Sequence, residues 1–588
     1  MLWVTCLKEA GDFHQVRIQR DLAYALSRVE EEGLSFLTIT LPAFEKDLLQ
    51  SISLGSIGSD HFPGFRRSGG LPRFLSGFLH RIFDRTGKLM SQPDPSVLRS
   101  LRQILLLVSK VELPTSERRD VLALRQYIET DASLPELSPL MREFSAVSRH
   151  LLGDYLNTVE RRIQSFSWTP RHSGGALATR ESFNSRYANV TWTERLQSVL
   201  PWWDDMVFSP RQIVDEGHKV KVLERYREIP VRVTTVPKTM KGPRIIAMEP
   251  CWMQFVQQGV LHAMTEVLTE ERYSLESGTF SWMDQTPNRD LARVGSIDGS
   301  YATIDLSEAS DRVSLQLAES VLSAAPFLKE IVLAARSETA RLPSGLVFRL
   351  RKFASMGSAL CFPIESMVFF IIVSIAWADY RDIAPVNLRW GDLPPFRVFG
   401  DDLVVPKEVV PFLLARLELY GLKVNSRKSF TTGHFRESCG SDWYRGHDVS
   451  VFRLRRAFPA KRTSGELVES CVSFHNRAYS AGWFETAAYV ESLLEGLFGK
   501  LPHGPVGSSP CALWTWDRAK LSLRFSRTLH RWEIRAFVFR RTKPVDLLDG
   551  YGALRKVLTV RSERASNHLE RDGRSRCAGV HIGWSPLH

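Results

Sequence analysis

Two textures of apolar and polar positions divide this chain. From residue 1 to about 200 the apolar residues recur at helical spacing, broken by loop-rich stretches near 55–59, 61–70 and 91–96, so a helical first third is expected. From Val231 the spacing shortens. Residues 231–236 are β-branched and alternate like a strand; a Pro/Gly-punctuated loop, 237–244, follows, and then a second apolar run at 245–247. Residues 301–305 predict a strand that closes on Asp305, and the polar stretch from Ser307 predicts a helix with Asp311 one turn in. The run 360–378 reads as a long apolar helix whose entrance is Ser355-Met356-Gly357-Ser358. Residues 396–405 read as two short strands meeting at Gly400-Asp401, a pair suited to a hairpin turn. An amphipathic helix at about 407–420 comes next. Beyond about 460 the chain reads as helical, with a Pro/Gly/Ser break at 502–510 and a basic, mobile tail at 555–576. No internal repeat or low-complexity tract interrupts it.

Composition narrows the class. At 588 residues the chain is too long for one ordinary core. Its net charge of +12 points to a polyanionic partner, nucleic acid first, although surplus Arg also serves plain surface solubility. Arg99, Arg102, Lys110, Arg118 and Arg119, spread among Leu-rich turns, read as a solvated helix face. The seven cysteines are scattered, odd in number and form no Cys-x-x-Cys pair, which speaks for a reducing compartment and against a zinc module or disulfide frame. Lys8, Glu9, Asp12 and Arg17 break up the first 20 residues, so no signal peptide is expected there. The apolar run 367–378 is too short to cross a bilayer and predicts a buried helix. A cytosolic protein with no membrane partner is expected.

Candidate chemistry gathers on four stretches, each with a plain alternative. Asp401 and Asp402 are adjacent carboxylates that repel one another unless a cation lies near, yet a solvated turn also favours Asp. Lys238, Lys241 and Arg244 suit a clamp on triphosphate oxygens, or simply a basic hairpin tip. Asp305, closing an apolar strand, needs a partner. Asp311 is either a second acid over the same cleft or a first-turn helix acid. Ser355, Gly357 and Ser358 offer close backbone approach and hydroxyl donors, or an ordinary helix cap. In this order the four stretches match a template-dependent polymerase palm, where carboxylates on neighbouring strands hold two metal ions about 4 Å apart.

The segments 235–238 (Thr-Val-Pro-Lys), 244–250 (Arg-Ile-Ile-Ala-Met-Glu-Pro), 302–311 (Ala-Thr-Ile-Asp-Leu-Ser-Glu-Ala-Ser-Asp), 355–357 (Ser-Met-Gly), 399–402 (Phe-Gly-Asp-Asp) and 435–440 (Phe-Arg-Glu-Ser-Cys-Gly) resemble the replicase subunit of single-stranded RNA bacteriophages, Qβ type. The motifs cover roughly residues 230–455; the flanks are similar in length and position only. The resemblance implies an α+β right-hand polymerase with fingers, a palm of antiparallel sheet flanked by helices, and a helical thumb. Residues 1–230 would form the N-terminal region and fingers, 231–300 the fingers with the basic loop at the nucleotide entrance, 301–455 the palm, and 456–588 the thumb and basic tail.

The same resemblance implies RNA-directed RNA polymerase activity: copying a phage genome from ribonucleoside triphosphates by two-metal transfer, with release of pyrophosphate. Asp305, Asp401 and Asp402 would hold two Mg2+ ions, with Mn2+ as a substitute, and Lys238, Lys241 and Arg244 would face the triphosphate. Asp311, with Ser355, Gly357 and Ser358, would meet the incoming nucleotide, and Lys428 would give a proton to pyrophosphate. Implied partners are template and product RNA, the host elongation factors Tu and Ts, and a ribosomal protein, all in the bacterial cytoplasm. Two positions depart from the family pattern: Phe399 stands where Tyr is usual, and Ser358 where Asn is usual. The alternatives are a reverse transcriptase and a non-catalytic palm-fold RNA-binding protein.

Overall fold

In the computed structural model, which describes residues 1–207, 209–542, 545–561 and 576–587, the 396–405 stretch forms the hairpin its pattern predicts. It sits in a three-stranded antiparallel sheet ordered Arg397–Phe399, Asp402–Pro406, Tyr301–Ile304. Leu403, Val404 and Val405 are all buried, so both faces of the middle strand are covered. The helix Thr286–Asp298 packs across all three strands, and Cys361–Tyr380 packs against the outer one. Gly400 turns the hairpin at φ 58°. A Cβ there would lie 2.0 Å from the Phe362 ring, so both conformation and space require glycine.

The helix Cys361–Tyr380 is longer than its apolar run suggests. It is long and apolar enough to cross a membrane by length and composition, but it lies in the core, with Phe369, Phe370, Ile371 and Ile372 fully buried. Each such side chain contributes about 1.5–3 kcal/mol relative to exposure. A helix apolar all round is what a central position demands.

Among the described residues three apolar cores organise the chain, and each joins distant segments. The largest wraps the sheet and the Cys361–Tyr380 helix with Met141–Gln164 and Cys251–Leu268. A second joins the first 111 residues to Phe435, Tyr444 and the segment from Val449 to Phe537. A small third core, around Tyr127, Val231 and Ala340, underlies the four-stranded sheet that contains Val231–Thr239 and Gly242–Met248. All seven cysteines are free thiols. The architecture is α+β.

Three sequence expectations give way. The helix expected from Ser307 is broken: Leu306–Ser307 pairs as a short strand with Lys423–Val424, Glu308 takes φ 54°, and only the single turn Ala309–Arg312 carries Asp311. Past 460 the helical reading holds for Gly465–Ser480 and Phe484–Phe498 and then fails, because Leu523–Ser526, Arg531–Thr542 and Arg576–Pro586 form an antiparallel sheet. Its middle strand is interleaved with arginines that hide the alternation. The tail begins in the helix Gly550–Arg561, where Arg555 is buried and donates to the Met206 carbonyl; residues 562–575 lie outside the described residues.

The third correction is Arg102, which is not on a solvated face. It is 2% exposed, pairs with Glu45 at 2.8 Å and Asp442 at 3.0 Å, and donates to the Val449 carbonyl at 2.6 Å. This bridge ties the N-terminal helices to the 441–444 strand.

Candidate active site

The strand register brings the acids together. Leu403 pairs with Ile304, so Asp402 and Asp305 are the next opposed positions toward the turn, with Asp401 at the tip. The stretch after Gly421 fixes Asp305. Asn425 Nδ2 donates to its Oδ2 at 2.8 Å, the Ser429 hydroxyl accepts from its backbone N–H at 3.1 Å, and Lys428 Nζ stands 3.6 Å from its Oδ1. Burial pushes Asp402 up to about 6, helped by Asp401 and then Asp305. Asp401 is raised first by burial and then by Asp305, against the pull of Lys428 and Lys238. Burial alone would lower Lys428, but Glu437 and the three aspartates together hold it above its ordinary value.

The basic hairpin is coupled electrostatically to these acids through Lys238. Lys238 is exposed on the hairpin; it is depressed first by desolvation and then by Arg244 and Lys428, while Asp401 and Asp305 oppose the shift, so it lies within electrostatic reach of the acids. Lys241 occupies the exposed turn, and Arg244 is exposed on the return strand. Arg119 donates to the Met240 carbonyl and anchors this tip. One cation that sequence reading passed over, Lys46, joins the group. Lys46 is lowered by burial and then by Lys241 and Lys428, while Lys110 is exposed in the turn after its helix, as a solvated position requires.

The Ser-Gly loop packs against Ala247 on the hairpin's return strand, where the Ala247 N–H donates to the Met356 carbonyl at 2.9 Å, and its serines are already engaged. Ser355 Oγ lies 2.7 Å from the Tyr127 hydroxyl. Gly357 has φ 135°, and a Cβ there would fall 1.9 Å from the Ala247 carbonyl oxygen, so glycine serves the approach of backbone to backbone. The Ser358 hydroxyl donates to Gln257 Oε1 at 3.1 Å. Asp311 accepts from Lys352 Nζ at 2.9 Å. Glu365, buried on the long helix, is held well above the usual carboxylate range first by burial and then by Asp401 and Asp311.

Asp305, Asp401 and Asp402 bring three carboxylates to one end of the sheet. Hard carboxylate oxygens suit Mg2+ or Mn2+, and Asp401 and Asp402 are raised first by burial and then by their neighbouring aspartates. Among the described residues no three His, Cys, Asp or Glu side chains converge as ion ligands. The shifts set a pH test. Asp402 rises from 3.8 to about 6 on folding, so between those values the folded chain binds more protons than the unfolded one, and metal-free stability falls as pH rises through that window. Asp402→Asn is expected to flatten this fall and raise the metal-free melting temperature at pH 7, measured by thermal melts from pH 4.5 to 7.5.

A family model described as "RNA replicase, beta-chain" matches residues 147–464, more than half of the 588-residue chain. The chain belongs to that family. Over 224 residues it is 37% identical to the RNA-directed RNA polymerase beta chain of Enterobacteria phage fr, covering 38% of this chain and 37% of that one. Over 286 residues it is 36% identical to the RNA-directed RNA polymerase subunit beta of Escherichia virus Qbeta, covering 48% of this chain and 44% of that one. The chain thus spans less than half the length of these curated relatives. A solved RNA-dependent RNA polymerase of a human picorbirnavirus superposes at TM-score 0.33 and 12% identity over 45% of this chain and 55% of that one, too loosely to carry an argument. Every predicted site residue, from Lys238 to Lys428, lies inside the family match.

Proposed function

We propose that this replicase-family chain is an RNA-directed RNA polymerase that copies a single-stranded RNA phage genome in the bacterial cytoplasm. The observation that carries this reading is the register that sets Asp305 opposite Asp402, with Asp401 at the tip and Lys238 in their field. Two bound Mg2+ ions, or Mn2+ as a substitute, would supply activation of the primer hydroxyl and charge stabilisation at the phosphoryl group. Asp305, Asp401 and Asp402 would hold them. Lys238, Lys241 and Arg244 bind the triphosphate; Lys428, kept protonated by the acids around it, holds a proton for departing pyrophosphate. Asp311 accepts from the ribose, and Ser355, Gly357 and Ser358 build the wall behind it. The lobes follow as fingers at 1–230 and 231–300, palm at 301–455 and thumb at 456–588. Template and product RNA are the proposed macromolecular ligands; the elongation factors Tu and Ts and a ribosomal protein rest on the resemblance alone.

The reading is tested with an RNA primer and template, offering labelled ribo- and deoxyribonucleotides side by side to the full chain purified with its copurifying proteins. Ribonucleotide addition is expected. Preferential deoxynucleotide addition would make it a reverse transcriptase, and RNA binding without addition would make it a non-catalytic RNA-binding protein. Within that assay Lys238→Ala and Arg244→Ala are expected to raise the nucleotide KM about tenfold each with a smaller change in kcat, since a cation on the triphosphate acts in ground and transition states alike. An unchanged KM would return this hairpin to solvent-facing duty.

A further inference from the structure

At the back of the proposed sugar pocket lies a lysine that no sequence motif marks. Lys352 is fully buried, and a buried ammonium needs a charged or hydrogen-bonded partner. It has both kinds of support: Nζ donates to Asp311 Oδ1 at 2.9 Å and stands 3.5 Å from the centre of the Tyr127 ring. The Tyr127 hydroxyl is 2.7 Å from Ser355 Oγ, so a chain of contacts runs from Asp311 through Lys352 and Tyr127 to the Ser-Gly loop. The backbone is fixed from the same helix. Asp131 accepts from the N–H groups of Arg351 and Lys352, each at 3.0 Å, and Glu117–Ala132 carries both Tyr127 and Asp131. The ion pair takes only Oδ1 of Asp311, whose side chain is 23% exposed, and leaves Oδ2 to meet a ligand hydroxyl.

We propose that Lys352, steadied by Tyr127 and Asp131, is a positioning residue for sugar selection, pinning the Asp311 carboxylate so that its outer oxygen accepts from the 2′-hydroxyl of the incoming ribonucleotide. This rests on the polymerase reading above. A carboxylate free to rotate would find another donor when a deoxynucleotide entered. A pinned one cannot, so the missing hydroxyl leaves a desolvated acceptor unpaired, and discrimination follows. The oxygen is aimed before substrate arrives, so no binding energy goes into ordering it. Tyr127 lies N-terminal to the family-matched segment, which begins at residue 147; the first third of the chain thereby acquires a part in substrate choice.

The test compares kcat/KM for a ribonucleotide and its deoxy analogue in wild type, Lys352→Met, Asp311→Asn and the double variant, with a melting curve for each. Lys352→Met is expected to narrow the ribo-to-deoxy ratio about tenfold or more, the size of one charge-assisted hydrogen bond, mostly by loss on the ribonucleotide side. The double variant is expected to be no worse than Asp311→Asn alone, and Lys352→Arg to restore most of the ratio. Equal losses for both sugars, or losses that multiply in the double variant, would reduce Lys352 to a structural ion pair and overturn the proposal. If Lys352→Met gives no cooperative melt, Tyr127→Leu carries the test, because removing the ring frees the ammonium without stranding a charge; there a ratio unchanged within about twofold overturns it. A wild type that prefers ribonucleotides while Lys352→Met keeps the same ratio defeats this proposal alone. A wild type that adds no nucleotide defeats it together with the polymerase reading.

Discussion

Asp401→Asn is expected to cut nucleotide addition by about a thousandfold or more while leaving the metal-free fold as stable as the wild type or more so. The two halves of this result have one cause. Asp401 is lifted by burial and by Asp305, so in the absence of metal its charge strains the folded chain, and the neutral amide removes that strain. The same amide is a poor ligand for a hard divalent cation and leaves the charge of the site unbalanced. The hairpin itself survives, since Gly400, Phe399 and the pairing of Phe399 with Asp402 are untouched. Extension rates together with thermal melts check it: a variant that is both inactive and unfolded would place Asp401 in the scaffold.

The second large effect lies far from the acids in sequence. Arg102→Met is expected to cost about 3–5 kcal/mol of stability, because it strands Glu45 and Asp442 in the interior without their cation. Chemical denaturation measures it. Neutralising the stranded partners in the same chain, with Glu45→Gln and Asp442→Asn, is expected to recover much of the loss, since a buried polar group without charge is far cheaper than a buried anion. A cost under about 1 kcal/mol for Arg102→Met, the range of an exposed ion pair, would mean that water reaches the bridge. The bridge also bears on the site: Asp442 pairs in register with Glu437, whose carboxyl is raised by burial and then by Asp442, and Glu437 with the three aspartates raises Lys428.

How much of this was legible in the sequence depended on whether a residue's role was local. The 396–405 hairpin and Asp305 at its strand end could be read because alternation and a Gly-Asp turn are short-range signals. The long buried helix could be read because an all-round apolar helix has only one comfortable place. Asp311 was found, but not the broken geometry that presents it, since the positive φ at Glu308 has no glycine to announce it. Gly357 was read as a ligand approach, whereas the structure uses it against Ala247; both need a missing Cβ, and the sequence does not distinguish them. Arg102, Lys352 and Tyr127 were missed or misread because each is defined by partners more than a hundred residues away or by a fold the chain had yet to adopt. An arginine in a Leu-rich helix looks the same whether it faces water or two buried carboxylates.

Template-directed extension by the full chain, purified with its copurifying proteins and compared with its Asp305→Asn variant, tests the central claim most directly. With Mg2+ present, the account expects the wild type to add ribonucleotides in the order the template dictates, the addition to stop when a chelator removes the ion, and the variant to stay at background. Wild-type extension that persists without divalent ions, or an Asp305→Asn variant that extends at a rate near the wild type, would contradict it.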